Sequence, residues 1–490
     1  MSTRRDPRIA IIGAGMSGIC TAAKLQQAGI HDFVIYEKAD EVGGTWRANT
    51  YPGLNCDIPS RYYSYTFAPN PDWTRVFPPG EEIRAYLRRV SVDLGIDRHI
   101  RFGAEVDEAE WDGSRWRLRT VGGEQETFDF IVSASGVLHH PRTPEIAGLD
   151  SFEGAVFHSA RWDHSVPLDG KRVAVVGTGS TGVQITKALS PRCSSYKLFQ
   201  RTPQWIVPTP NPRYSRLTRA ALKRFPALNR VWSRLAYRFW QQVFERTFCV
   251  AVIQPGWQRR LITAFAHAHL HKVRDPELRE RLRPSDKPMC KRMIFASGFY
   301  ERFQSGQAEL VDTAIDHVTE RGIVTVDGKL HELDVIVLAT GFNAHAYLQP
   351  VELVGPDGLR LSKVWSDEPR GYRTVALPGF PNFFLMLGPN SPIGNQSLFM
   401  ITETQVDYAC KWIERWRAGE FDAATPTEEA TESFMDEMRA AFPDTIWTSG
   451  CDSWYLGKDG LPALWPFTPQ AHRDMLATPH VEEWVQETAA

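Results

Sequence analysis

The sequence predicts an α/β fold made of two parallel-sheet units, with a helical insertion in the second unit. Two observations predict the pair of units: a G-x-G-x-x-G turn follows an apolar run at residues 11–18, and the same pattern returns at residues 175–182. Each turn separates a strand-like run from the start of a helix, as in a βαβ unit that binds a dinucleotide. A third observation, apolar residues at helical spacing within residues 214–285, interrupts the alternation of strands and helices. The predicted architecture is therefore two Rossmann-like dinucleotide-binding domains.

The first turn contains Gly13, Gly15, Ser17 and Gly18, and Glu37 follows nineteen residues after Gly18. Glycines leave the backbone bare at a helix N-terminus, where a pyrophosphate can approach it. A carboxylate at the end of the next strand hydrogen-bonds a free ribose 2′-hydroxyl. The first unit is therefore predicted to bind a dinucleotide without a 2′-phosphate, such as FAD.

The second turn repeats the pattern but ends in a residue of opposite charge. Its residues are Gly177, Thr178, Gly179, Ser180, Thr181 and Gly182. Arg201 follows nineteen residues after Gly182, and an arginine at this place accommodates a 2′-phosphate. The second dinucleotide is therefore predicted to be NADPH. One glycine-rich turn is weak evidence, whereas two turns with matched spacing disfavour a purely structural explanation.

The strand-like runs and the insertion divide the chain into five segments. We predict a first part of the FAD-binding domain at 1–145, a linker and first part of the NADPH-binding domain at 146–213, a helical insertion at 214–285, a second part of the NADPH-binding domain at 286–338, and a completing part of the FAD-binding domain at 339–490.

The insertion contains a predicted amphipathic helix. Its apolar stripe consists of Leu228, Val231, Trp232, Leu235, Phe239 and Val243. Arg230, Arg234 and Arg238 recur every four residues on another face. A basic, aromatic helix of this kind can contact a membrane surface. We favour the alternative, in which the stripe packs into a core and the arginines face water.

Composition excludes several classes of protein. The net charge is −2, which gives no reason to expect a nucleic-acid partner, and no uncharged apolar run is long enough to span a membrane. The seven cysteines are scattered and include no C-x-x-C, so neither a redox dithiol nor a metal site is indicated. With no signal sequence before the first strand, this pattern predicts a reducing compartment and a cytoplasmic location. The oligomeric state is left open.

Two longer motifs resemble those of type I Baeyer–Villiger monooxygenases, a group of the class B flavoprotein monooxygenases. Residues 152–163 match F-x-G-x-x-x-H-x-x-x-W-[P/D], with His158 and Trp162. Residues 44–57 match G-x-W-x-x-x-x-[F/Y]-P-G-x-x-x-D, with Trp46 and Asp57. The resemblance covers nearly the whole chain and implies that NADPH reduces FAD, and that oxygen activated on the flavin is inserted beside a ketone carbonyl. Such sites commonly oxidise sulfides as well.

The resemblance also assigns roles to residues of this chain. It implies that Arg292, in the pair Lys291-Arg292, stabilises negative charge on oxygen and that Asp57 orients it, because a fixed guanidinium suits that task. It implies that Lys291 assists Arg201 at the 2′-phosphate, and that His158 couples the domains without being catalytic. Met293 stands where many members have proline. The remaining predicted cofactor-binding residues are Thr45, Trp46, Tyr63 and Val106 toward FAD, and Thr202 and Trp454 toward NADPH.

Two alternatives remain open at this point. The first is an N- or S-hydroxylating flavin monooxygenase, against which Trp162 and the pair Asp57–Arg292 speak. The second is an NADPH oxidase-type flavoprotein that has no organic substrate. The sequence leaves the ketone itself unidentified.

Overall fold

The computed structural model describes residues 5–394, 396–453, 456–458 and 460–488. The strands in chain order are β1 (Ile9–Ile12), β2 (Phe33–Glu37), β3 (Ile100–Phe102), β4 (Val106–Trp111), β5 (Trp116–Thr120), β6 (Gln125–Phe128), β7 (Phe130–Ser133), β8 (Ala155–His158), β9 (Arg172–Val176), β10 (Ser195–Phe199), β11 (Ile206–Val207), β12 (Ile294–Phe295), β13 (Glu309–Val311), β14 (Ile315–Thr319), β15 (Gly322–Thr325), β16 (Leu330–Glu332), β17 (Val335–Leu338), β18 (Glu352–Val354), β19 (Phe383–Leu385), β20 (Ala423–Pro426) and β21 (Trp484–Glu487). The α-helices are α1 (Met16–Gln27), α2 (Thr45–Ala48), α3 (Gly80–Asp93), α4 (Ser180–Leu189), α5 (Arg216–Arg224), α6 (Pro226–Val243), α7 (Val250–Ile253), α8 (Trp257–Leu270), α9 (Pro276–Arg281), α10 (Phe299–Gln304), α11 (Leu361–Val364), α12 (Leu398–Arg417), α13 (Glu428–Ala441) and α14 (Pro469–Met475), and a π-helical turn, Phe244–Cys249, joins α6 to α7.

Two parallel sheets form the framework. The first has the order β19-β7-β1-β2-β3, and the second has the order β13-β10-β9-β17-β8. Their central strands, such as β1 and β17, are buried along their whole length, as expected for parallel sheets that are covered on both faces. The predicted α/β architecture with two Rossmann-like sheets is confirmed.

Each sheet has its own apolar core. The first core joins β1 and β7 to α1, α3 and α12, and the second joins β9, β10 and β17 to α4 and α8. Residues Phe434 and Trp465, from the C-terminal part of the chain, pack in the second core. The C-terminal part therefore does not pack on the first sheet alone, and its assignment to the FAD-binding domain remains a proposal.

The insertion is helical, as predicted, but its amphipathic helix is oriented the other way. The α6 residues Leu228, Val231, Trp232, Leu235 and Phe239 are exposed to solvent. On the opposite face, Asn229 is buried, and its side chain bonds to the Pro69 carbonyl. The preferred interpretation of a stripe that packs into a core is therefore wrong.

Candidate active site between two glycine turns

The first glycine turn lies between β1 and α1 and excludes side chains. Gly13 has φ +105°, and a Cβ there would lie 2.7 Å from the Ala134 carbonyl oxygen. A Cβ on Gly18 would lie 1.9 Å from the carbonyl oxygen of Gly13. Only glycine fits at either position, so the N-terminus of α1 presents bare backbone N–H groups. This surface fits a pyrophosphate.

Glu37 ends β2 beside the first turn and is buried. Its carboxylate accepts hydrogen bonds from the backbone N–H groups of Ala14 (2.8 Å) and Ala39 (2.9 Å). These bonds fix the carboxylate at the edge of the turn, where the ribose of a bound dinucleotide would lie. Ser17 is the second residue of α1, and its Oγ lies 3.2 Å from the Thr402 Oγ1 of α12.

The segment from Gly44 to Trp46 lies against the first turn. A Cβ on Gly44 would lie 3.1 Å from the Cα of Gly15, so the two backbones are in close contact. Thr45 begins α2 and is exposed. Trp46 donates a hydrogen bond from Nε1 to the Tyr63 hydroxyl (3.3 Å), and the two rings meet edge to face. The structure thus brings together the predicted flavin contacts Trp46 and Tyr63.

The second turn reproduces the geometry of the first. Gly177 has φ +115°, and its Cβ would lie 2.4 Å from the Ala339 carbonyl oxygen, while a Cβ on Gly182 would lie 2.0 Å from the carbonyl oxygen of Gly177. A Cβ on Gly179 would enter open space. Ser180 and Thr181 begin α4. Thr178 donates a hydrogen bond from Oγ1 to the Thr202 carbonyl (2.6 Å), which ties the turn to the segment after β10.

Arg201 and Lys291 differ in their freedom to bind a ligand. Arg201 is exposed, and no ion pair or hydrogen bond to it is found in the described part of the chain. Lys291 pairs instead with Asp286, at 2.6 Å, and both side chains are mostly buried. Arg201 is therefore the better candidate to read a 2′-phosphate.

A contact that the sequence did not reveal joins the two units. Tyr51 donates from its hydroxyl to the Gln184 Oε1 (3.0 Å), and Thr181 donates to the same hydroxyl (3.4 Å). Burial raises the pKa of Tyr51 to about 12, so the phenol keeps its proton. Gly53 has φ +85°, and a Cβ there would lie 2.7 Å from the Gln184 carbonyl. Tyr51 and Gly53 belong to the 44–57 motif, whose loop therefore reaches from the first turn to the helix of the second.

Asp57 ends that loop and holds Arg292. The Arg292 Nε donates to the Asp57 Oδ2 (3.0 Å), and Nη2 donates to both carboxylate oxygens (2.7 Å each). Nη1 donates to the Gly394 carbonyl at 3.1 Å. The Arg292 side chain stays 29% exposed and that of Asp57 20% exposed, so the fixed positive charge still reaches an open space. The predicted catalytic pair is thus brought together from positions 235 residues apart.

A disulfide lies next to this pair. Cys290 and Cys451, with Cα atoms 6.1 Å apart, are joined across 161 residues of sequence. This bond does not fit the reducing compartment that the cysteine pattern predicted. Sequence spacing missed it because both residues reach the second core from distant segments.

His158 is the last residue of β8, at the edge of the second sheet, and so lies within a strand rather than in the predicted linker. Its Nδ1 accepts a hydrogen bond from the Ala160 backbone N–H (3.0 Å). Burial lowers the pKa of His158 and favours the neutral ring. Trp162 meets Phe157 edge to face. Both side chains thus contact neighbours within the second unit.

Val106 and Trp454 are the last two predicted cofactor-binding residues. Val106 begins β4, is buried, and pairs with Thr120. The predicted nicotinamide-closing Trp454 lies outside the described residues.

The comparisons with known proteins agree with this geometry. The family model for flavin-binding monooxygenase-like proteins matches residues 6–352. The chain belongs to this family. It is 56% identical to an uncharacterized monooxygenase of Mycobacterium tuberculosis over 98% of this chain and 96% of that protein. It is 37% identical to a Baeyer–Villiger monooxygenase of Streptomyces coelicolor over 95% of this chain and 90% of that protein.

Solved structures with a similar fold point to the same family. A solved structure of oxidized steroid monooxygenase bound to NADP superposes with a TM-score of 0.88 at 30% identity and covers 99% of this chain and 100% of that one. Among the described residues, no helix is both long and apolar enough to cross a bilayer. The chain is thus a flavin monooxygenase of this family.

Proposed function

We propose that this protein is an FAD- and NADPH-dependent Baeyer–Villiger monooxygenase, which inserts one atom of O2 beside a ketone carbonyl to give an ester or lactone. The observation that carries the proposal is the Arg292–Asp57 pair, held by the loop that joins the two glycine turns. A chain that only oxidised NADPH would not need a fixed cation at this place.

The two turns fit the two cofactors. The bare backbone at Gly13 and Gly18, with the carboxylate of Glu37 at its edge, suits the pyrophosphate and free ribose of FAD. The second turn, with the Arg201 guanidinium that has no partner among the described residues, suits NADPH. Bound FAD, once reduced by NADPH, supplies the electrons that activate oxygen.

Arg292 serves the step in which the ketone is attacked. Negative charge develops on oxygen during this step, and a guanidinium that is already oriented stabilises it without reorganising. Asp57 accepts both N–H groups of one edge of the guanidinium, while Gly394 accepts one from Nη1. The carboxylate therefore positions the cation but does not need to touch substrate.

The Tyr51 hydroxyl and the close packing of Gly53 on α4 set the distance between the two turns. A hydride donor on one turn and its acceptor on the other need a fixed separation, since a small misplacement slows transfer strongly. Trp46 and Tyr63 meet edge to face near the first turn, where they would contact the flavin. We retain the cytoplasmic location that the sequence predicts, although the Cys290–Cys451 disulfide argues against the reducing compartment on which that prediction rested.

The proposal is tested by product analysis. The holoenzyme, NADPH and air are supplied with cyclic, linear and aryl ketones, with an aryl sulfide as control, and products are identified by mass spectrometry with labelled oxygen. We expect an ester or lactone that carries one labelled atom and is formed in proportion to NADPH. Sulfide oxidation without any ester would indicate the heteroatom hydroxylase. NADPH consumption that yields only hydrogen peroxide would indicate the oxidase.

A further inference from the structure

The solvent-facing side of α6, the residues Leu228, Val231, Trp232, Leu235 and Phe239, is here called the α6 stripe. These residues are 47–60% exposed and follow one another by three or four positions along the helix, or lie adjacent, so they share one face. A second stripe, Trp257, Leu261 and Phe265, is 50–61% exposed along α8. Five of the six exposed aromatic residues of the described chain are on α6, α8 or directly before α6. Exposed aromatic side chains are therefore concentrated on and beside α6 and α8.

On the opposite side of α6, polar side chains are hydrogen-bonded to the rest of the protein. Arg61 donates from Nη1 to the Ser233 hydroxyl at 2.7 Å, and Asn229 donates to the Pro69 carbonyl at 3.1 Å. Tyr237 meets the ring of Tyr62 edge to face. The helix is thus fixed with its partly polar face inward, and rotating the stripe into the core would break these bonds. The exposed stripe is a feature of the folded protein.

The charge of the insertion is as one-sided as its exposure. Residues 214–285 contain fifteen arginines and lysines and four acidic residues, Glu245 among them, a net charge of +11, so that the rest of the −2 chain carries −13. Glu245 is paired with Arg473 at 2.6 Å. The row Arg230, Arg234 and Arg238 beside the α6 stripe has no ion pair within the residues that the structure describes. An arginine row with no ion pair among the described residues favours an anionic partner.

Charge decides between the candidate partners. A second copy of the chain would oppose two basic faces on each other, which like-charge repulsion disfavours. An anionic bilayer offers both an apolar layer for aromatic side chains and phosphates for arginines. No helix in the described parts of the chain can cross a bilayer, so the contact would be peripheral. We propose that the α6 stripe and its arginine row bind the surface of an anionic lipid membrane.

The test is sedimentation of the FAD-loaded holoenzyme with vesicles. We expect it to bind vesicles of phosphatidylcholine with about one third phosphatidylglycerol, to bind pure phosphatidylcholine vesicles at least about tenfold more weakly, and to be released by molar salt. The double variant Trp232→Ser/Phe239→Ser and the triple variant Arg230→Gln/Arg234→Gln/Arg238→Gln should each weaken binding by at least about tenfold.

The matched control is Val121→Ser/Val326→Ser, which removes two exposed apolar side chains elsewhere on the surface, 66% and 62% exposed. It should bind as the parent does. Flavin content and melting temperature establish that each variant is folded. Equal binding of the parent and the Trp232→Ser/Phe239→Ser variant would overturn the proposal. So would an absence of binding to phosphatidylglycerol vesicles at low salt, or a parent dimer that this variant dissociates. None of these outcomes depends on the oxygenation reaction.

Discussion

The two glycine turns have nearly the same backbone, yet they present opposite side chains to a ligand. In each, the last glycine must lack a Cβ because it lies against the carbonyl of the first, 1.9 Å away at Gly18 and 2.0 Å at Gly182. Beside the first turn, Glu37 is buried and held by two backbone N–H groups. Beside the second, Arg201 is exposed and unpaired in the described chain. We infer that the turn binds phosphate in both units, while the residue at or just after the end of the next strand selects the dinucleotide.

Reversing the charge beside the first turn should have the largest effect. In Glu37→Arg, the N–H groups of Ala14 and Ala39 lose their acceptor, and a cation replaces the carboxylate that we propose to face the ribose. The ribose would lose a charged hydrogen bond of roughly 1.5–3 kcal/mol, and an arginine at this buried position would also distort the turn, so we expect at least about a hundredfold weaker flavin affinity. Flavin content after purification is the measurement, with Glu37→Gln as the milder control. Full flavin occupancy in Glu37→Arg would contradict the assignment of this turn.

Removing the charge beside the second turn should have an intermediate effect. Arg201→Ala should narrow the preference for NADPH over NADH by about 10- to 150-fold, the equivalent of roughly 1.5–3 kcal/mol for a charged hydrogen bond. The ratio of kcat/KM for the two cofactors is the measurement. Lys291→Ala is the comparison, and it should change the ratio less because Lys291 is already paired with Asp286. An unchanged ratio in Arg201→Ala would show that another residue reads the phosphate.

Loosening the contact between the turns should have the smallest effect. Tyr51→Phe removes the hydroxyl that donates to Gln184 and accepts a longer bond from Thr181, and it leaves the glycines of both turns unchanged. We expect a loss of about 0.5–1.5 kcal/mol in stability. The measurement is the free energy of unfolding by denaturant of Tyr51→Phe, Gln184→Ala and the double variant. Because the two residues are in contact, the losses of stability in the single variants should not add up to the loss in the double variant. Strict additivity would mean that the hydrogen bond contributes nothing.

The sequence predicted the turns because their constraints are local. A strand, a glycine turn and a helix N-terminus follow one another within ten residues, so spacing alone determines their geometry. The Asp57–Arg292 pair came from a resemblance between long motifs, and the structure adds the bidentate bond that joins them. Their roles at the cofactors remain proposals.

Contacts between distant segments could not be predicted from the sequence. Nothing in the spacing of Cys290 and Cys451, or of Tyr51 and Gln184, marks them as neighbours. The predicted orientation of α6 was wrong for another reason. Periodicity showed an apolar stripe but could not show that Asn229 and Ser233 on the opposite face would be satisfied by Pro69 and Arg61.

Removing the cation between the two turns, while both remain intact, tests the account most directly. In rapid-mixing experiments, Arg292→Ala should still let NADPH bleach the oxidised flavin, within about threefold of the parent, whereas ester formation should fall by at least about a hundredfold, as for loss of a preorganised electrostatic stabiliser. Asp57→Ala should also slow ester formation, but by less than Arg292→Ala, because Asp57 acts by holding Arg292. Near-normal ester formation by Arg292→Ala would contradict the account.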